Sequence, residues 1–133
     1  MKLMLVDDNE KFRRRLGSLI SNSMSVKIVG QAGNVQRAIR CFMKTKPNII
    51  ILDIQIINGS GFDVLRVVKA TEPATIVIML TVGSANEYKS KCLMMGADYF
   101  FEKSKGIGAM ISLLMKLIQK TKTQRVQKKS KKR

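Results

Sequence analysis

The sequence predicts an α/β domain built on a doubly wound, five-stranded parallel sheet with helices on both faces. Three observations carry that expectation. Short apolar runs alternate with amphipathic stretches along the chain. The central run, Ile49-Ile50-Ile51-Leu52, lies between Pro47-Asn48 and the turn-forming Asn58-Gly59-Ser60-Gly61 and has no polar position, as a strand covered on both faces requires. The helical stretches between the runs are crossovers, the connection that parallel strands need.

Taken in order, Leu3 to Val6 reads as the first strand, and Asn9 caps a helix whose Phe12, Leu16, Leu19 and Ile20 fall at helical spacing. Val26 to Val29 is the second strand. Gly33-Asn34 turns the chain into a helix marked by Val35, Ala38, Ile39 and Phe42, which ends before Pro47. Asn48 to Leu52 is the third strand. Phe62, Leu65 and Val68 mark a third helix that stops before Pro73, and Thr75 to Leu80 is a β-branched fourth strand. Ser84 to Met95 is a weakly amphipathic fourth helix with Tyr88, Cys92, Leu93 and Met95 as apolar positions and Gly96 as its stop. Asp98 to Phe101 is the fifth strand. Ile107, Met110, Ile111, Leu114, Leu117 and Ile118 then give the strongest helical pattern in the chain.

Composition narrows the class. The chain has 133 residues, 45% of them hydrophobic, enough for one core without staples. No apolar run approaches the ~18 residues of a membrane span, and Asp7-Asp8 interrupts the N-terminal apolar stretch too early for a secretory signal, so the cytoplasm is expected. Cys41 and Cys92 fall in predicted helices without C-x-x-C spacing, which suits buried thiols. Histidine is absent, excluding Ser/His and Cys/His catalysis and the usual zinc sets. The net charge is +16, and half of that excess lies in residues 120 to 133, which hold Lys and Arg but no acid. The expected organisation is therefore a domain over 1 to 119 followed by a basic, disordered tail over 120 to 133.

Five strand-helix units are most simply arranged in the flavodoxin-like order 2-1-3-4-5, with the switch point between strands one and three. Strand one ends at Asp7-Asp8 and strand three at Asp53, so the topology gathers three of the nine acids at one crevice. Such carboxylates repel one another unless a cation compensates, and an oxygen-only set suits Mg²⁺. Thr81 ends strand four and Lys103 follows strand five on the same sheet edge. A metal, a carboxylate, a hydroxyl and an ammonium together make a phosphoryl site.

With these residues in place, the chain resembles the response-regulator receiver domains of two-component signalling. The likeness rests on Asp7-Asp8, on Asp53 after Ile-Ile-Ile-Leu, on Gly61, on Thr81 after Val-Ile-Met-Leu, and on Gly-Ala-Asp-Tyr-Phe-Phe-Glu-Lys ending at Lys103. The resemblance implies that Asp53 accepts a phosphoryl group from the phosphohistidine of a sensor kinase or histidine phosphotransfer protein. It implies that Asp8 is the principal direct Mg²⁺ ligand, that Asp7 acts partly through water, and that the Gln55 backbone carbonyl and Asp53 complete the set. Thr81 and Lys103 would bond the phosphoryl oxygens, with Thr81 and Phe100 as the switch pair. Such a protein catalyses only its own phosphorylation and dephosphorylation.

This chain departs from the family pattern at Ile57 and Ser104, where prolines are usual, and at Val82, where a small residue is usual. Losing the prolines is expected to loosen the loops, and Val82 to narrow access to Asp53. The expected output is phosphorylation-dependent protein binding by a stand-alone receiver. A receiver-switched binder of nucleic acid or anionic membrane surface through the tail is the alternative. A homodimer through helices four and five is also implied by the resemblance, and the positive charge opposes it. A haloacid-dehalogenase-type phosphatase needs an acid where Gln55 stands and is set aside.

Overall fold

The computed structural model describes residues 1–82 and 86–131, with side chains as far as Thr121 apart from that of Asn86. Its sheet strands are β1 (Lys2–Val6), β2 (Lys27–Ala32), β3 (Ile49–Leu52), β4 (Ile76–Thr81) and β5 (Tyr99–Glu102). The helices are α1 (Glu10–Ser23), α2 (Val35–Thr45), α3 (Gly61–Thr71), α4 (Asn86–Met94) and α5 (Ile107–Lys131). All pairings within this five-stranded sheet are parallel, in the predicted order β2-β1-β3-β4-β5.

Alternation along the strands divides the core in two. Ile49 and Ile51 of β3, with Leu3, Leu5, Ile78 and Leu80, pack on the face covered by α1 and α5 through Leu16, Ile20, Met110 and Leu114. Ile50 and Leu52, with Met4, Val6, Val77 and Met79, pack on the opposite face against Phe42, Leu65, Val68 and Cys92 of α2, α3 and α4. Because side chains of successive strand residues point to opposite faces, a strand covered twice must be apolar at every position. β3 is buried at all four.

Local signals place the helix ends. Asn9 and Asn34 accept the backbone N–H groups of Phe12 and Arg37 at 3.0 and 2.9 Å, capping α1 and α2. Ser60 caps α3, and Asp63 accepts the Ser60 N–H at 3.0 Å in return. At the end of α4, Gly96 has φ +99°, Ala97 N–H donates to the Cys92 carbonyl at 2.9 Å, and Gly96 N–H donates to that of Leu93 at 3.1 Å. Those paired bonds are the glycine-dependent stop expected there.

Three differences from the sequence expectation have physical causes. β2 runs on to Ala32 because β1 pairs with it over its whole length, with a register shift between Leu3 and Met4. Leu93 and Met94 of α4 are exposed, so Cys92 is the buried anchor of that helix; Ser84 lies outside the described residues. The backbone of α5 continues to Lys131, through a stretch rich in Lys, Arg and Gln with no Pro or Gly, where composition predicts a disordered tail. Lys132 and Arg133 lie outside the described residues. Cys41 and Cys92 are free thiols, and burial pushes Cys92 up to about 11, where it is inert.

Candidate functional site

Backbone bonds that continue past the strand ends fix the site. Asp7 N–H donates to the Ala32 carbonyl at 3.0 Å, Asp53 N–H to that of Val6 at 2.9 Å, and Lys103 N–H to that of Thr81 at 2.8 Å. Each of these candidate site residues thus sits next to the end of a strand whose register is set by an apolar ladder. The predicted crevice forms at the carboxyl edge of β1, β3, β4 and β5.

Asp7, Asp53 and Thr81 are buried, whereas Asp8 is exposed at the mouth. Carboxylate oxygens of Asp7, Asp8 and Asp53 all lie within 4.8 Å of one another, a set that can hold a metal ion. The donors fit a hard divalent cation, since all are oxygens and Asp8 leaves the set open to water. Lys103 Nζ lies 3.1 Å from Asp53 Oδ2 and 2.5 Å from Asp7 Oδ2, bridging the two buried acids. Asp7 Oδ1 also accepts the Asn9 N–H at 2.8 Å, and Asp53 Oδ1 accepts the Gln55 N–H at 3.3 Å.

The electrostatics follow from burial. Desolvation pushes Asp53 up to about 6 even though Lys103 opposes the shift, and nearby Asp7 adds to it. Burial pulls Lys103 down, but its bonds and charge pairing with Asp7 and Asp53 outweigh that, so its value is raised. At neutral pH the site therefore holds an ionised, poorly solvated carboxylate beside a fixed ammonium. Among the described residues the Thr81 hydroxyl makes one long bond, donating to the Val82 carbonyl at 3.4 Å. Phe100 is half-buried on the α2–α4 face of the sheet.

The loop after Asp53 is short and pinned. Gln55 pairs with Ser60 and Ile56 with Gly59 in a two-residue antiparallel ladder, and Val35 N–H donates to the Ile57 carbonyl at 3.2 Å. Ile57 and Val82 are more than half exposed, at 56% and 58%. A Cβ on Gly61 would collide with the backbone carbonyl of Asp53, which accounts for the glycine in the motif. Sequence reasoning missed two contributors. Arg13 donates through Nη1 to the Asp7 carbonyl and through Nε to Gln31, and the Phe12 ring lies 4.4 Å from Lys103 Nζ. Phe12 reads in the sequence only as part of the apolar face of α1, and Arg13 carries no pattern of its own.

The family model of the response regulator receiver domain matches residues 3–115. The chain belongs to that family. The receiver is 28% identical over 124 residues to the DNA-binding transcriptional activator DevR/DosR of Mycobacterium tuberculosis, a match covering 86% of this chain and 57% of that protein. It is 27% identical over 106 residues to a protein-glutamate methylesterase/protein-glutamine glutaminase of Syntrophomonas wolfei, covering 79% of this chain and 30% of that protein. The chain thus spans less than two thirds of either relative. Among solved structures, the response regulator domain of Thermotoga maritima CheB superposes with a TM-score of 0.76 at 26% identity, covering 90% of this receiver and 94% of that chain. The signal receiver domain of a Luxo repressor protein from Vibrio parahaemolyticus, at 22% identity, TM-score 0.80 and coverages of 94% and 95%, shares the fold.

Proposed function

We propose that this receiver is a phosphoacceptor: Asp53 takes a phosphoryl group from the phosphohistidine of an upstream sensor kinase or histidine phosphotransfer protein. The observation that carries the proposal is the buried Asp53 carboxylate, 3.1 Å from the Lys103 ammonium and ringed by Asp7 and Asp8. An Asp53 oxygen attacks phosphorus, the phosphorus–nitrogen bond breaks, and the imidazole leaves with a proton on its other nitrogen. Lys103 faces the negative charge on the transferring oxygens, and positioning with electrostatic stabilisation is most of what such a transfer needs. Asp8, Asp53 and the Gln55 backbone carbonyl would hold Mg²⁺, with Asp7 partly through water; the ion supplies further charge neutralisation on the phosphoryl oxygens.

Once Asp53 carries three acceptor oxygens, the weakly engaged Thr81 hydroxyl turns to one of them and Lys103 bonds another. Phe100 moves into the space Thr81 vacates, which reshapes the α4–β5–α5 surface and makes phosphorylation-dependent protein binding the output. Intact-mass spectrometry after incubation with acetyl phosphate tests the first step. One added phosphoryl group, absent with EDTA and absent in Asp53→Asn, is expected; an unmodified wild-type protein with Mg²⁺ would overturn the reading.

The charge of residues 120 to 133 favours a second reading, in which phosphorylation switches binding to nucleic acid or an anionic surface through that segment. Replacing Lys128, Lys129, Lys131 and Lys132 with Gln in the full chain should then weaken binding to duplex DNA or to anionic vesicles and flatten its salt dependence. Unchanged binding would leave the segment as a solubilising end. No helix among the described residues is long and apolar enough to cross a membrane.

A further inference from the structure

Lys103 has three N–H donors, and among the described residues its two carboxylate partners account for two of them. Its third contact is of another kind. The ammonium sits 4.4 Å from the centroid of the Phe12 ring, and the Lys103 side chain is only 12% exposed. Phe12 arrives there from the first turns of α1, capped by Asn9, while its neighbour Arg13 ties the same turn to the Asp7 carbonyl. The ring is therefore held by the element that also fixes one of the acids.

We propose that Phe12 is a positioning residue for phosphoryl transfer: its ring face holds the Lys103 ammonium over Asp53 while leaving an N–H donor free for an incoming phosphoryl oxygen. The inference rests on the phosphoacceptor reading above. A third carboxylate in this place would also hold the ammonium, but would take its remaining donor and compete with the phosphoryl group. A ring attracts the cation through its quadrupole without accepting a directional bond, so Lys103 can exchange a carboxylate contact for a phosphoryl contact without leaving its place. The ring also covers the α1 side of the ammonium, where water would otherwise reach it and weaken its field. An aliphatic residue of similar volume supplies the cover but not the attraction.

A double-mutant cycle separates positioning from packing. Phosphorylation rates of the full chain with acetyl phosphate and saturating Mg²⁺ are measured for Phe12→Leu, Phe12→Tyr, Lys103→Met and Phe12→Leu/Lys103→Met, with thermal melts to verify folding. Phe12→Leu is expected to slow phosphorylation by roughly five- to twentyfold. Phe12→Tyr, which keeps the ring face, should stay within about twofold of wild type. In the Lys103→Met background Phe12→Leu should add nothing, because the cation it positions is gone. An equal slowing in both backgrounds would show that Phe12 only packs α1, and no slowing in either would show that Lys103 is held without it; either result overturns the proposal. A wild-type protein that takes up no phosphoryl group overturns the phosphoacceptor reading and this inference together, whereas a phosphorylated wild type with an additive cycle overturns this inference alone.

Discussion

Asp53 carries the energetic cost of the site as well as its proposed chemistry. Its value rises from the ordinary carboxylate range to about 6, so between about pH 4 and pH 6 the folded protein keeps a proton that the unfolded chain has lost. Stability therefore falls as pH rises through that window, by about 3 kcal/mol at most, and the whole cost is present above it. In EDTA at pH 7.5, Asp53→Asn is expected to be about 1–3 kcal/mol more stable than wild type in urea unfolding, a gain that shrinks to nothing near pH 4. A variant less stable than wild type at pH 7.5 would mean that the Lys103 contact outweighs desolvation. Val82 offers a second check at this scale. Its side chain is 58% exposed beside Thr81, and if its bulk hinders approach to Asp53, Val82→Ala should be phosphorylated faster by acetyl phosphate; equal rates would exclude that role.

At the scale of elements, the turn from β3 into α3 couples stability to the site. Gly61 N–H donates to the Ile54 carbonyl at 2.6 Å, and a methyl group at Gly61 meets Asp53 backbone atoms that cannot swing aside. Gly61→Ala should cost about 2 kcal/mol or more and slow phosphorylation, whereas Ser60→Ala, which removes only the cap, should cost about 1 kcal/mol. Chemical denaturation with acetyl phosphate labelling distinguishes the two. These elements were unequally legible in the sequence. The five strands, the cap at Asn9, the turn at Gly33-Asn34 and the stop at Gly96 are local signals, and they appear where the residues place them. The length of β2, the exposure of Leu93 and the Phe12–Lys103 contact depend on partners far along the chain, which no local pattern records. The acids and Lys103 were legible because topology alone brings strand ends together; where Arg13 would reach was not.

For the whole molecule, the distribution of acids decides the surface. Asp7, Asp8 and Asp53 line the site, Glu10, Glu72, Asp98 and Glu102 pair with Arg14, Lys46, Lys69 and Lys105, and Asp63 completes the capping box of α3. Exposed Lys11, Arg15, Arg37, Arg40 and Lys44 have no acidic partner among the described residues. With a net charge of +16, self-repulsion opposes the compact state, so raising NaCl from about 10 to about 300 mM should raise the melting temperature by several degrees. A falling melting temperature would show that ion pairs outweigh the repulsion.

The two halves of the crevice rest on different foundations. Asp53 follows β3, a central strand buried at every position, whereas Phe100 and the approach to Lys103 belong to β5, an edge strand whose residues are all half-buried. Hydrogen exchange should therefore protect the amides before Asp53 up to global unfolding, while those of β5 exchange through smaller openings. The proposed acceptor is anchored where the molecule is hardest to open, and the proposed response would leave through the strand that takes least work to rearrange.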